Sequence, residues 1–146
     1  MATGVAVIGA GTVGGGVIQA LTNNQASVDA NAGGEVRLTH VCELNRDCLA
    51  GFDLTGVTIT DQVDDLFASP EVDVVCELIG GIEPAKTFVL KALAAKKHVV
   101  TANKMLLAMH GPELTAAAVE NGVELRYEAA VAGGIPIILA LREGLA

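Results

Sequence analysis

An α/β fold built on a doubly wound parallel sheet is what the sequence predicts, and three observations carry that expectation. Short β-rich runs alternate with helical stretches of about 10 to 15 residues, the pattern of repeated strand-helix units. Apolar runs such as "EVDVVCELIGG" read as strands covered by helices on both faces. At the start, "GVAVIG" passes through a glycine-rich turn into "VGGGVIQALTNN", which makes strand, tight turn and helix in direct succession.

Each element follows from local signals. The first helix keeps Val13, Val17, Ile18 and Leu21 at helical spacing and is expected to fail near Asn23 and Asn24. "QASVDANAGG" then reads as a polar loop of unusual length before the strand "EVRLTHVC". A short strand is expected at 57–60, with Asp61 capping a brief helix to Phe67 that carries Asp64 and Asp65 on its polar face. The next strand covers 72–77 and ends in paired glycines. Pro84 sits where a first helical turn accepts proline, and the Ala/Leu/Lys content favours helix to about Lys97. "HVVTA" is a strand. "HGPELTAAAVENG" is expected to form a helix with Pro112 near its start and Gly122 as its C-cap, before the strand "VELRYEA". The chain closes on "GGIPIILALREGLA", a glycine-rich turn and a helix begun by Pro136. That abrupt ending predicts a fragment of a longer enzyme.

Composition narrows the function classes. A chain of 146 residues is the size of one domain with one hydrophobic core. Although 51% of residues are hydrophobic, no window approaches the ~18 uninterrupted apolar residues of a membrane span. Gly9, Gly11 and Gly14 interrupt the first apolar run, so no export signal is expected and the cytoplasm is the default. The net charge of -8 and the lack of a Lys/Arg stripe argue against a nucleic-acid surface. Cys42, Cys48 and Cys76 form no CxxC pair and read as free thiols. His40, His98 and His110 have no neighbours that suggest a catalytic triad, and His98 reads as packing or hydrogen bonding.

The chemistry begins at Gly9-Ala10-Gly11-Thr12-Val13-Gly14, between the first strand and the first helix. Gly9 permits the turn, Gly11 lets the backbone approach a pyrophosphate, and Gly14 lets helix and strand pack closely, while the helix N-terminus offers oriented N–H groups. The pattern predicts a Rossmann-type dinucleotide site, with Thr12 and Val13 lining it. No Lys-Ser or Lys-Thr follows the glycines, which excludes a Walker A loop. Glu43, after the second strand, is the candidate for the adenosine ribose of NAD, and Arg46 could instead face the 2'-phosphate of NADP. The two charges leave NAD and NADP both open. Gly80 and Gly81 end a strand on the ligand-binding edge and let the cofactor pass close to the backbone. On the same edge stand Thr101, Asn103 and Lys104. A lysine there can stabilise negative charge growing on a carbonyl oxygen during hydride transfer, and Asn103 can orient ring, substrate or lysine.

Four stretches together, "VIGAGTVGGGV", "ELIGGIEPA", "HVVTANKMLLAMHGPEL" and "EAAVAGGIPII", resemble the nucleotide-binding region of homoserine dehydrogenase over practically the whole chain. The resemblance implies interconversion of L-homoserine and L-aspartate 4-semialdehyde with NAD or NADP, in the route to threonine, methionine and isoleucine. It makes Lys104 one of two lysines at the reacting centre, and Gly9, Thr12, Val13, Gly81 and Asn103 cofactor-pocket positions. It also implies a monovalent cation, usually sodium, on Glu128 and on the carbonyls of Val131, Gly133 and Ile135. Residues 1–146 would then be the dinucleotide-binding domain, with 129–146 leading into a substrate and dimerisation domain that holds the second lysine and is absent here. The isolated chain would bind cofactor without turnover, and the full-length enzyme would be a homo-oligomer. Two other readings remain: a different Rossmann dehydrogenase of amino-acid metabolism, and a non-catalytic NAD(P)-sensing domain, which would need no lysine at the nicotinamide end.

Overall fold

The computed structural model describes residues 2–145. The chain runs β1 (Thr3–Ile8), α1 (Thr12–Asn23), α2 (Gln25–Ala32), β2 (Val36–Cys42), β3 (Thr58–Thr60), α3 (Val63–Ala68), β4 (Val74–Glu77), α4 (Ala85–Ala94), β5 (His98–Thr101), α5 (Lys104–Asn121), β6 (Leu125–Arg126) and α6 (Ile137–Gly144), with 3-10 turns at Arg46–Leu49 and Glu128–Ala130. The strands form one six-stranded sheet in the order β3-β2-β1-β4-β5-β6, and each neighbouring pair is parallel. Strand order therefore reverses between β1 and β4, and a crevice outside their carboxyl ends is where such sheets bind ligands.

Alternation along β1 divides the core into two layers, because successive side chains of a strand point to opposite faces. Val5 and Val7 pack with Ile18 and Leu21 of α1, Val41 of β2 and Cys76 of β4. Ala6 and Ile8 face the other way, into a layer filled by Leu66 and Phe67 of α3, Val89 and Leu93 of α4, and Leu106, Leu114 and Ala118 of α5. Both faces of the sheet are covered, as the apolar strands require.

Several boundaries differ from the sequence expectation. The segment expected as a long polar loop contains α2. Its Asp29 Oδ1 accepts from Gln25 Nε2, one turn back, at 2.7 Å and from the Val36 N–H at 2.8 Å. Those two bonds, with a third from Gln25 Nε2 to the Val36 carbonyl, tie a helix with no buried residue to the start of β2. α3 is preceded by Gln62 rather than capped by Asp61; it is Thr60 Oγ1 that accepts the Gln62 N–H, at 3.0 Å. Asp65 is not simply solvated, since it receives the Thr60 hydroxyl. β4 starts two residues later than 72, α4 stops at Ala94 because Lys96 turns left-handed, and β6 keeps only two residues of its expected run. α5 begins at Lys104, so Pro112 lies inside it; Gly122 is its C-cap as expected. His98 Nδ1 accepts the Glu124 N–H at 3.1 Å, a structural bond between neighbouring strand starts.

Candidate functional site

The site is assembled at the carboxyl edge of β1, β4 and β5. Gly9 follows β1 with φ +90°, and a Cβ there would lie 2.6 Å from Cγ2 of Ile79. The turn after β1 and the turn after β4 are thus in contact across the point where strand order reverses. Gly14, in the first turn of α1, leaves no room at all: a Cβ would stand 1.8 Å from the Gly9 carbonyl oxygen. Between them Gly11 faces open space, with nothing within 4 Å of a built Cβ. α1 starts at Thr12 without a side-chain cap and with no acidic residue in its first turn, which leaves its oriented N–H groups available to an anion. Thr12 and Val13 are exposed at this opening.

Glu43 follows β2 on the same edge. Its Oε2 accepts the Ala10 N–H at 2.6 Å and its Oε1 the Asn45 N–H at 2.8 Å. Partial burial is the largest single influence and pushes this carboxyl up, but the N–H donors of Ala10, Asn45 and Leu44 together outweigh it and hold the group below its ordinary 4.5. The glycine-rich turn and the acidic residue are one unit. Arg46 begins the 3-10 turn Arg46–Leu49, exposed to solvent.

The turn after β4 places Gly80 and Gly81 at φ +74° and +75°, a conformation in which glycine has no side chain to strain. Asn103 holds this turn and the next helix together. Its Nδ2 donates to the Gly81 carbonyl at 2.6 Å, and its Oδ1 accepts the Leu106 N–H at 3.1 Å as the N-cap of α5. Asn stands shortly after the strand run "HVVT" because that one side chain both starts α5 and clasps the neighbouring turn. Lys104 is the first residue of α5, exposed, and in no ion pair among the described residues. Thr101 is fully buried, and its hydroxyl donates to Glu77 Oε2 at 2.6 Å. Glu77 itself went unnoticed in the sequence, since its one signal is an acidic residue closing an apolar run.

The third group follows β6 in the chain. Ala132 and Gly133 turn the chain with φ of 58° and 62°. Glu128 Oε1 accepts the Ile138 N–H at 2.9 Å, and the Ile135 carbonyl accepts the Ile137 N–H at 2.8 Å. The carbonyls of Val131 and Gly133 receive no backbone bond among the described residues. A carboxylate with carbonyl oxygens is a donor set suited to a hard cation.

A parallel sheet with this strand order, two glycine turns meeting at its reversal point and an uncapped helix start defines a nucleotide-binding domain of the Rossmann class. Residues 9–128 match the family model described as the NAD binding domain of homoserine dehydrogenase, and the chain belongs to that family. It is 44% identical to a homoserine dehydrogenase of Bacillus subtilis over 141 residues, 97% of this chain and 33% of the relative. The crystal structure of a homoserine dehydrogenase from Thiobacillus denitrificans superposes with a TM-score of 0.90 at 47% identity, covering 99% of this chain and 33% of that one. A more distant likeness, at 26% identity and TM-score 0.68 over 86% of this chain and 34% of the other, is GenD2 from gentamicin A biosynthesis in complex with NAD. The chain thus spans about a third of the length of the relatives it matches.

Proposed function

We propose that this chain is the cofactor-binding part of a homoserine dehydrogenase, which interconverts L-homoserine and L-aspartate 4-semialdehyde with NAD or NADP. The observation that carries the reading is Lys104, set by the Asn103 cap at the edge where the Gly80–Gly81 turn and the Gly9–Gly14 turn meet. The nicotinamide, when bound, supplies the hydride or takes it up. The chain's residues do the rest: the N–H groups of α1 receive the pyrophosphate, Gly11 leaves space for it, and Glu43 or Arg46 meets the adenosine ribose. The Lys104 ammonium, unpaired among the described residues, donates to the aldehyde oxygen and stabilises the charge that grows there.

Three finer readings accompany this one. A monovalent cation, sodium as the resemblance to the family implies, is held by Glu128 and the carbonyls of Val131, Gly133 and Ile135. The segment 129–146 leads into a substrate and dimerisation domain, which accounts for Ile137, Leu139 and Leu141 of α6 being exposed. A reducing compartment, the cytoplasm, suits three unpaired thiols.

The test is replacement of Lys104 by Ala in the full-length protein. Loss of a charged donor at the reacting oxygen should lower kcat by about 100-fold or more while cofactor affinity changes little. An unchanged kcat would remove Lys104 from the chemistry. Parallel titrations with NADH and NADPH, followed by nicotinamide fluorescence, decide between Glu43 and Arg46 at the ribose.

A further inference from the structure

Glu77 closes β4 after Val74, Val75 and Cys76, and it is 0% exposed. No cationic side chain pairs with it among the described residues. A buried carboxylate without a counter-charge must be held by donors, and here there are three. Oε1 accepts the N–H groups of Ile79 at 3.0 Å and Gly80 at 3.3 Å, and Oε2 accepts the Thr101 hydroxyl at 2.6 Å. Thr101 Oγ1 in turn accepts the Asn103 N–H at 3.0 Å, and Asn103 returns through Nδ2 to the Gly81 carbonyl. Glu77, Thr101, Asn103 and the Gly80–Gly81 turn therefore form a closed ring of hydrogen bonds. Its bonds join the end of β4 to the turn that follows it, the end of β5 to Asn103, the two strand ends to each other and the turn to Asn103, and none is a backbone bond of the sheet. The next residue out of the ring is Lys104.

We propose that Glu77 is a positioning residue for the nicotinamide end of the site. Through Thr101 and Asn103 it locks the Gly80–Gly81 turn to the first turn of α5 and so sets where the Lys104 ammonium stands. The inference deepens the reading of Lys104 above and rests on it. A glutamine does not reproduce the arrangement: with its one oxygen on the Ile79 and Gly80 N–H groups, its NH2 faces Thr101, whose hydroxyl has to give up its role as donor to that side and turn its proton elsewhere.

The test uses the full-length protein with Glu77→Gln, Thr101→Val and Thr101→Ser. Three quantities are read: kcat for homoserine oxidation, the emission of bound NADH, and the Kd of ADP-ribose, which lacks the nicotinamide. E77Q and T101V should lower kcat by about 10- to 100-fold, the scale of a displaced reacting group. They should shift the emission of bound NADH and leave the Kd of ADP-ribose within about twofold. T101S, which keeps the hydroxyl, should restore kcat to within about threefold of wild type. The proposal is overturned if both E77Q and T101V keep wild-type kcat, or if ADP-ribose binding falls in step with kcat, which would make the ring a matter of general stability. T101V removes the same link without altering the carboxylate, so an E77Q that does not fold still leaves a decision. A wild-type protein that binds NADH and does not oxidise homoserine would instead refute the activity, and the NADH emission of T101V against T101S would still decide whether the ring holds the turn.

Discussion

Gly11 and Gly14 stand three residues apart and answer to different forces. Replacing Gly14 by Ala would drive a methyl to 1.8 Å from a backbone oxygen; the backbone has to move, and overpacking of this kind costs about 1–3 kcal/mol or more. At Gly11 a methyl meets nothing within 4 Å and φ is an ordinary -67°. Gly11→Ala should therefore keep the thermal midpoint while weakening NADH binding by about 10-fold, since the methyl fills the space proposed for the pyrophosphate. Gly14→Ala should lose both, and calorimetry beside a fluorescence titration separates the two cases. Glu43 adds a pH dependence. Its carboxyl is held below 4.5 in the folded protein, so the stabilisation it gives is complete above its unfolded value and is lost as pH falls through the folded one. Chemical denaturation on either side of pH 4.5 should show Glu43→Gln with a flatter acid limb than wild type. The glycines were legible because their signature is local. Glu77 was not, because its burial and its Thr101 partner come from a strand 24 residues away.

Among the elements, α2 shows where reading by periodicity stops. It buries no residue, so no apolar stripe marks it, and its polar composition imitates a loop. What makes it a helix is the bond set around Asp29, and a partner eleven residues on from Gln25 is not visible in a local window. Asp29→Ala should cost about 1.5–3 kcal/mol in urea denaturation, the scale of lost bonds to a charged acceptor, with amide exchange accelerated over 25–32 first. If exchange rises evenly over the whole chain, α2 is not held by this residue. The start of α5 was missed for the opposite reason. Pro112 is a strong helix breaker, and sequence reading places it at a boundary. Here the Asn103 cap begins the helix at Lys104, which puts the lysine on a rigid element rather than on a loop. The alternation of strands and helices, which needs no partner to be seen, gave the sheet correctly.

At the scale of the molecule, one sheet carries two cores, and the cysteines sample both. Cys42 lies in the layer under α3, α4 and α5, and Cys76 in the layer under α1. Burial pushes each thiol up to about 11; at Cys42 the carboxylates of Asp61, Glu43 and Asp65 add to it. Both are therefore screened from reagents twice, by packing and by their scarcity of thiolate. Cys48 is exposed. A thiol reagent near neutral pH should label Cys48 alone in the folded protein, and all three residues after denaturation. With Cys48 changed to Ser, labelling of Cys42 and Cys76 reports the opening of each layer separately. β1 contributes alternate side chains to both layers, so neither can open without exposing the strand at the centre of the other. The two thiols should accordingly become reactive at the same urea concentration and with the same dependence on it. Should Cys76 label first, the α1 layer with the Gly9–Gly14 turn opens as a unit of its own. Saturating NADH should then protect Cys76 more than Cys42, whereas a single cooperative domain is protected equally at both.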